Sequence, residues 1–149
     1  MIYKDIDIFL LQNILIFIKN NDKYKIKQID DNTFNINVPN DIINKTINNI
    51  IIYFNKLKIF LNQNYKDKNN KIKFIYDKDI LNIIIHYLNQ NNDIIYNVSK
   101  VYYYDLFLNI NNNKFELSIR HKNKDIIIIN VLNHLIDIII FDFNNLLIK

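Results

Sequence analysis

The sequence predicts an α+β fold, a two-layer sandwich with a mainly antiparallel sheet covered by helices. Three observations carry that expectation. Short segments alternate apolar and polar residues around asparagine-rich turns, as in Lys23–Ile29, Thr33–Val38 and Lys114–Arg120. Longer segments repeat apolar residues at helical spacing, above all Ile43, Ile47, Ile50, Phe54, Leu57 and Leu61. The two kinds of segment interleave in the order α-β-β-α-β-α-β-β-β-α, with hairpins separated by helices, which suits antiparallel strands packed under helices.

Residues 4–19 form the first expected helix. Ile8, Leu11, Leu15 and Ile18 make one stripe, with Leu10, Ile14 and Phe17 beside it. Lys23–Ile29 and Thr33–Val38 then read as a hairpin. A three-residue turn, Asp30-Asp31-Asn32, places Tyr24 opposite Val38 and Ile26 opposite Ile36, so apolar residues share a face. Asn32 is expected in the left-handed region, as asparagine tolerates it better than other side chains. Pro39-Asn40-Asp41 opens a long helix to about Gln63, with Asn40 or Asp41 as N-cap. Its near-heptad seam is read as a core stripe, with a partner interface as the other reading.

The polar stretch 62–70 is the candidate hinge within a single domain spanning 1–149. Ile72, Phe74 and Tyr76 alternate in a short strand, and Asp77 caps a helix to about Asn89 with Leu81, Ile84 and Leu88 inward. Ile94–Val98 reads as a strand or a lead-in. Val101–Ile110, Lys114–Arg120 and Asp125–Ile129 form a three-stranded meander. A last helix runs from about Val131 to Leu147, with Leu132, Leu135, Ile136, Ile139, Phe143 and Leu146 inward and Asn133, His134, Asp137 and Asn144 outward.

Composition removes whole classes of chemistry. The 149 residues include no Gly, Ala, Cys or Trp, and single Arg, Glu and Pro residues, against 35 Ile and 29 Asn. Ile, Asn, Lys, Tyr and Phe use codons almost wholly of A and T, which points to an AT-rich genome of viral, organellar, endosymbiont or plasmid type. Without glycine there is no Walker or Rossmann phosphate loop. Without cysteine there is no disulfide, thiolate metal site or cysteine nucleophile. No cofactor is implied. The apolar N-terminus carries Asp5, Asp7, Gln12 and Asn13 and lacks a small-residue cleavage site, so a secretory leader is not expected. Ile126–Ile148 is the most lipid-like stretch, but seven polar residues interrupt it. An intracellular, unsecreted protein with no membrane span is the expectation.

Three constellations invite a functional reading. Matching apolar faces across Asn111-Asn112-Asn113 pairs Ile110 with Phe115, Leu108 with Leu117 and Leu106 with Ile119. The same logic sets Arg120 between Asp105 and Asp125, read as a structural ion-pair row. Lys23, Lys25 and Lys27 share one hairpin face with Asn35 and Asn37, and Lys71 and Lys73 repeat the pattern. With a net charge of +4 and a pI of about 9.1, that plate could track nucleic-acid phosphates. His134 lies one helical turn before Asp137 and is the candidate general base of a hydrolase. His86 and His121 belong to no metal-binding pattern, and no metal site is expected. The leading expectation is a non-catalytic protein–protein interaction module, a subunit or adaptor with a protein partner or a second copy. Nucleic-acid binding is the first alternative and a hydrolase the second.

Overall fold

The computed structural model describes residues 1–18, 21–64, 78–90, 104–111, 114–121 and 125–149. These residues form a mixed α+β structure with four helices and two antiparallel sheets. In chain order they are β1 (Ile2–Lys4), α1 (Ile8–Phe17), a 3-10 turn (Asn21–Lys23), β2 (Ile26–Asp30), β3 (Thr33–Ile36), α2 (Asn40–Asn64), α3 (Lys78–Gln90), β4 (Tyr104–Asn111), β5 (Lys114–His121) and α4 (Asp125–Asn144). The chain divides into two compact units, one of Met1–Ile52 with Ile140–Lys149 and one of Tyr53–Ile139. The expected strand around Ile72–Tyr76, the segment Ile94–Val98 and the loop 65–70 lie outside the described residues.

In the first unit a three-stranded antiparallel sheet has the order β1-β3-β2. The hairpin register is the one that apolar matching requires: Ile26 faces Ile36, Lys27 faces Asn35 and Gln28 faces Phe34. The turn differs from expectation. Asn32 does not take a positive φ. Instead β2 carries a bulge between Gln28 and Asp30, so Asp30 pairs with Thr33. The Asp30 side chain accepts a hydrogen bond from the Asn32 N–H at 2.9 Å, closing the turn with a side-chain oxygen. The extra residue of the bulge supplies the bend that a left-handed Asn32 would otherwise give.

β1 was not legible as a strand. The first helix starts at Ile8 rather than residue 4, because Asp7 caps it: its carboxylate accepts from the Phe9 N–H at 3.0 Å. The residues before it are released to pair with β3, Ile2 against Asn35, Tyr3 against Phe34 and Lys4 against Thr33. Asp5 then takes the left-handed conformation, φ 55°, and donates its N–H to the Asn32 carbonyl at 2.8 Å. Aspartate is among the few residues that accept this conformation at modest cost.

Burial follows the sheet's inner face and the helical stripes. Tyr3, Phe34, Ile36 and Val38 are buried, as are Leu10, Leu11, Ile14 and Ile18 of the α1 segment, and Ile43, Ile47 and Ile50 of α2. Phe143 and Leu146 complete the set from the C-terminal segment. Buried Asn13 is satisfied within α1, donating to the Phe9 carbonyl at 2.8 Å. Two polar links hold the C-terminal residues. The Tyr3 hydroxyl donates to the Leu146 carbonyl at 2.8 Å. Asn44 uses both ends of its amide on Ile148, donating to its carbonyl at 2.9 Å and accepting from its N–H at 2.8 Å.

In the second unit, Phe54, Leu57 and Leu61 of α2, Ile80, Ile83, Ile84 and Tyr87 of α3, and Leu132, Leu135, Ile136 and Ile139 of α4 are buried. The side chains of Leu81 and Leu88 lie outside the described residues. β4 and β5 form a hairpin in the expected register, with Ile110 opposite Phe115, Leu108 opposite Leu117 and Leu106 opposite Ile119. The third meander strand is corrected: Asp125–Ile129 is the start of α4, not a strand. Four consecutive isoleucines have no period, and such a run cannot be told from buried helix by pattern alone. No helix among the described residues is long and apolar enough to cross a membrane.

Burial pushes the Tyr3 phenol up from 10.0 to about 12. Below pH 10 the phenol is neutral folded and unfolded, so its contribution is intact. As pH rises past the unfolded value the unfolded chain ionises first, and stability falls until the folded phenol also ionises. Tyr3→Phe should abolish this alkaline loss while costing about 1–3 kcal/mol at neutral pH, because the Leu146 carbonyl is left unpaired. Urea denaturation of both proteins from pH 7 to 11.5 measures both effects.

Candidate functional site

The outer face of the three-stranded sheet gathers four of the polar candidates, Lys25, Lys27, Asn35 and Asn37. Strand pairing sets Lys27, Asn35 and Ile2 in one row. Lys25 continues the hairpin ladder, accepting on its carbonyl from the Asn37 N–H at 3.3 Å, while its own N–H donates to the Asn37 side chain at 2.5 Å. Two-residue alternation therefore puts Lys25, Lys27, Asn35 and Asn37 on one face, and Lys4 joins them from β1 through its pairing with Thr33. Lys23 falls in the 3-10 turn rather than in the strand. Lys71 and Lys73 lie outside the described residues, so their place relative to this face is not part of the geometry.

Sequence reasoning missed what else lies on this face. β1 brings Ile2, and the bulge brings Ile29; both are more than half exposed, at 54% and 53%. Acids close one end, with Asp5, Asp30 and Asp31 all exposed. A three-residue strand such as β1 leaves no periodic signal, since alternation needs four or more residues to be seen.

The Asp30 carboxyl is held below the usual carboxylate range. The Asn32 N–H is the first cause, followed by the Thr33 hydroxyl, with the Lys4 charge acting the same way. These bonds favour the charged form, so the stability they supply is present above the ordinary carboxylate value and is lost as pH falls through the lowered one.

His134 and Asp137 are both exposed on α4. The Asp137 carboxylate is engaged by Lys58 of α2, Nζ to Oδ1 at 2.6 Å. One turn earlier, Asn133 donates to the Asn62 side-chain oxygen at 2.7 Å, while its own Oδ1 is buried without a partner. His86 sits edge-on to the neighbouring Tyr87, ring centroids 5.9 Å apart. His121 ends β5, opposite Tyr104.

In the second hairpin Asp105 is the register partner of Arg120. Asp125 is the first residue of α4 and is not a strand neighbour of Arg120, so the three-member row is not formed as a cross-strand ladder. The side chains of all three lie outside the described residues. Among the described residues no group of three His, Cys, Asp or Glu could hold a metal ion.

No family model matches the chain, and no curated protein or solved structure matches it.

Two outcomes follow from these contacts. Asp30→Asn should flatten the acid limb of the stability profile, with thermal melting from pH 6 to 2 as the measurement. A double-mutant cycle on Lys58 and Asp137 should give a coupling of about 0.2–1 kcal/mol that shrinks with added salt, as expected of an exposed pair.

Proposed function

We propose that the chain is a non-catalytic protein-interaction module, a small subunit or adaptor of a larger intracellular assembly encoded by an AT-rich genome. The outward face of α2 carries this reading. The near-heptad seam from Ile43 to Leu61 is fully buried, so it is core and not an interface. Away from the seam, Ile59 lies on the opposite side of the helix with an exposure of 57%, and Tyr53 and Phe60 lie two turns apart on the flank between, at 46% and 36%. Single exposed apolar residues are ordinary, whereas neighbouring ones on a helix face mark contact surfaces. We read the first unit as a two-layer arrangement, its sheet as one layer and its helices as the other, which leaves the outer sheet face open as well.

A second reading, nucleic-acid binding, is favoured by Lys4, Lys25 and Lys27 lying on one sheet face. A titration across salt tests it: affinity should fall steeply with ionic strength and vanish when Lys25 and Lys27 are changed to Glu.

For the leading reading, Ile59→Lys should weaken association at least tenfold. Stability should change by no more than about 0.5 kcal/mol, because the site is a solvent-facing helix position. Light scattering of the purified chain, with capture from a native lysate, provides the measurement. A chain that stays monomeric and captures nothing rejects this reading.

A further inference from the structure

We propose that the site formed by Tyr3 and Asn44, now filled by residues 146–148, is a docking site for an extended apolar segment of a partner protein, and that this stretch of the chain is a displaceable latch across it. The inference rests on the interaction reading above and names a second surface and the form of its ligand.

All the residues concerned belong to the first unit. Beyond α4 the chain turns at Asn145 and Leu146, and from Leu147 onward it has no regular structure. Among the described residues it pairs with no strand. Side chains hold it instead. The Asn44 amide donates to the Ile148 carbonyl at 2.9 Å and accepts from the Ile148 N–H at 2.8 Å. One amide can meet both groups of one residue only when they point the same way. They do so in extended backbone, whereas in a helix they point in opposite directions. Asn44 therefore supplies, from a side chain, a single rung of strand pairing. The Tyr3 hydroxyl meets the main chain again two residues earlier, at the Leu146 carbonyl, 2.8 Å away. Leu146 itself is buried, while Leu147 and Ile148 are half-buried and Lys149 is exposed.

These polar contacts read only main-chain groups, which every peptide carries. Selection comes from the apolar packing around Leu146, which calls for an aliphatic side chain two residues before the one that meets Asn44. A nucleic-acid phosphate backbone lacks the N–H that the Asn44 oxygen accepts, so the site favours protein. The latch is also lightly held. Its own backbone bonds run only back to Phe143 and Asn144, and its remaining bonds are those to Tyr3 and Asn44. Segments with few ordered contacts open locally while the rest of the fold stays closed. While shut, the latch competes in cis at an effective concentration of about millimolar, which screens the site from weak ligands.

Two measurements on the full chain test this. Native-state hydrogen exchange should show the Ile148 amide exchanging at least about tenfold faster than the Ile36 amide in β3, because the latch opens without global unfolding. The docking probe is a synthetic peptide with the sequence of residues 144–149, titrated by NMR. Leu146→Asp places a carboxylate in apolar packing and so keeps the latch open. The peptide should bind this variant at least about tenfold more tightly than the wild type. Adding Asn44→Leu to the variant should reverse the gain, with circular dichroism following the fold of both. Equal protection of Ile148 and Ile36 overturns the proposal, whether or not Leu146→Asp folds. A folded Leu146→Asp chain that binds no better than wild type, or that keeps its affinity without Asn44, overturns it as well. Ile59 plays no part in either measurement, so a failure here is distinct from a failure of the α2 face.

Discussion

Within the first unit, everything else depends on the burial of β3. Among the described residues it is the only strand of its sheet with neighbours on both sides, and Thr33, Phe34 and Ile36 are all buried. A strand so enclosed must have its backbone groups met by other strands, because an unmet buried N–H or carbonyl costs about as much as a lost hydrogen bond. β2 meets one edge through the hairpin. The other edge is met by β1, a strand of three residues that could not persist alone. The constraint therefore explains why residues 2–4 leave the helix that follows them, and why Tyr3 lies inside with its hydroxyl on the Leu146 carbonyl.

The absence of glycine shapes how the chain turns. Positions that need unusual backbone geometry are handled by aspartate. Asp5 adopts the left-handed conformation, Asp7 caps α1, and Asp30 closes the hairpin with its carboxylate. Asp7 and Asp30 do so with a short side chain that bonds locally to the backbone, which glycine cannot do. Asparagine acts more often at a distance, as Asn44 does on Ile148 and Asn133 on Asn62.

The legible parts of the fold were those where period and register agree. The α2 seam, the inward side of the last helix and both hairpin registers follow from matching apolar residues, because slipping by one position would reverse every face. Three things were not legible. β1 is too short to show alternation. Ile126–Ile129 has no period, and the preference of isoleucine for strands loses meaning in a chain where it fills most of the core. The outward apolar face of α2 is invisible as well, because Tyr53, Ile59 and Phe60 look like core residues until the buried side is known. Of the candidate site, the pairing of Lys27 with Asn35 could be read in advance. The engagement of Asp137 by Lys58 could not, since those residues are brought together only by packing between helices.

The bulge on β2 has a consequence for how this hairpin can vary. It separates the ladder into two lengths, one where Ile26 and Gln28 are matched to Ile36 and Phe34, and one at the turn where Asp30 meets Thr33. A residue gained or lost near positions 29–32 can enlarge or erase the bulge without inverting the strand. The connection is thereby free to drift in length and composition, while the apolar match that secures β3 is insulated from it.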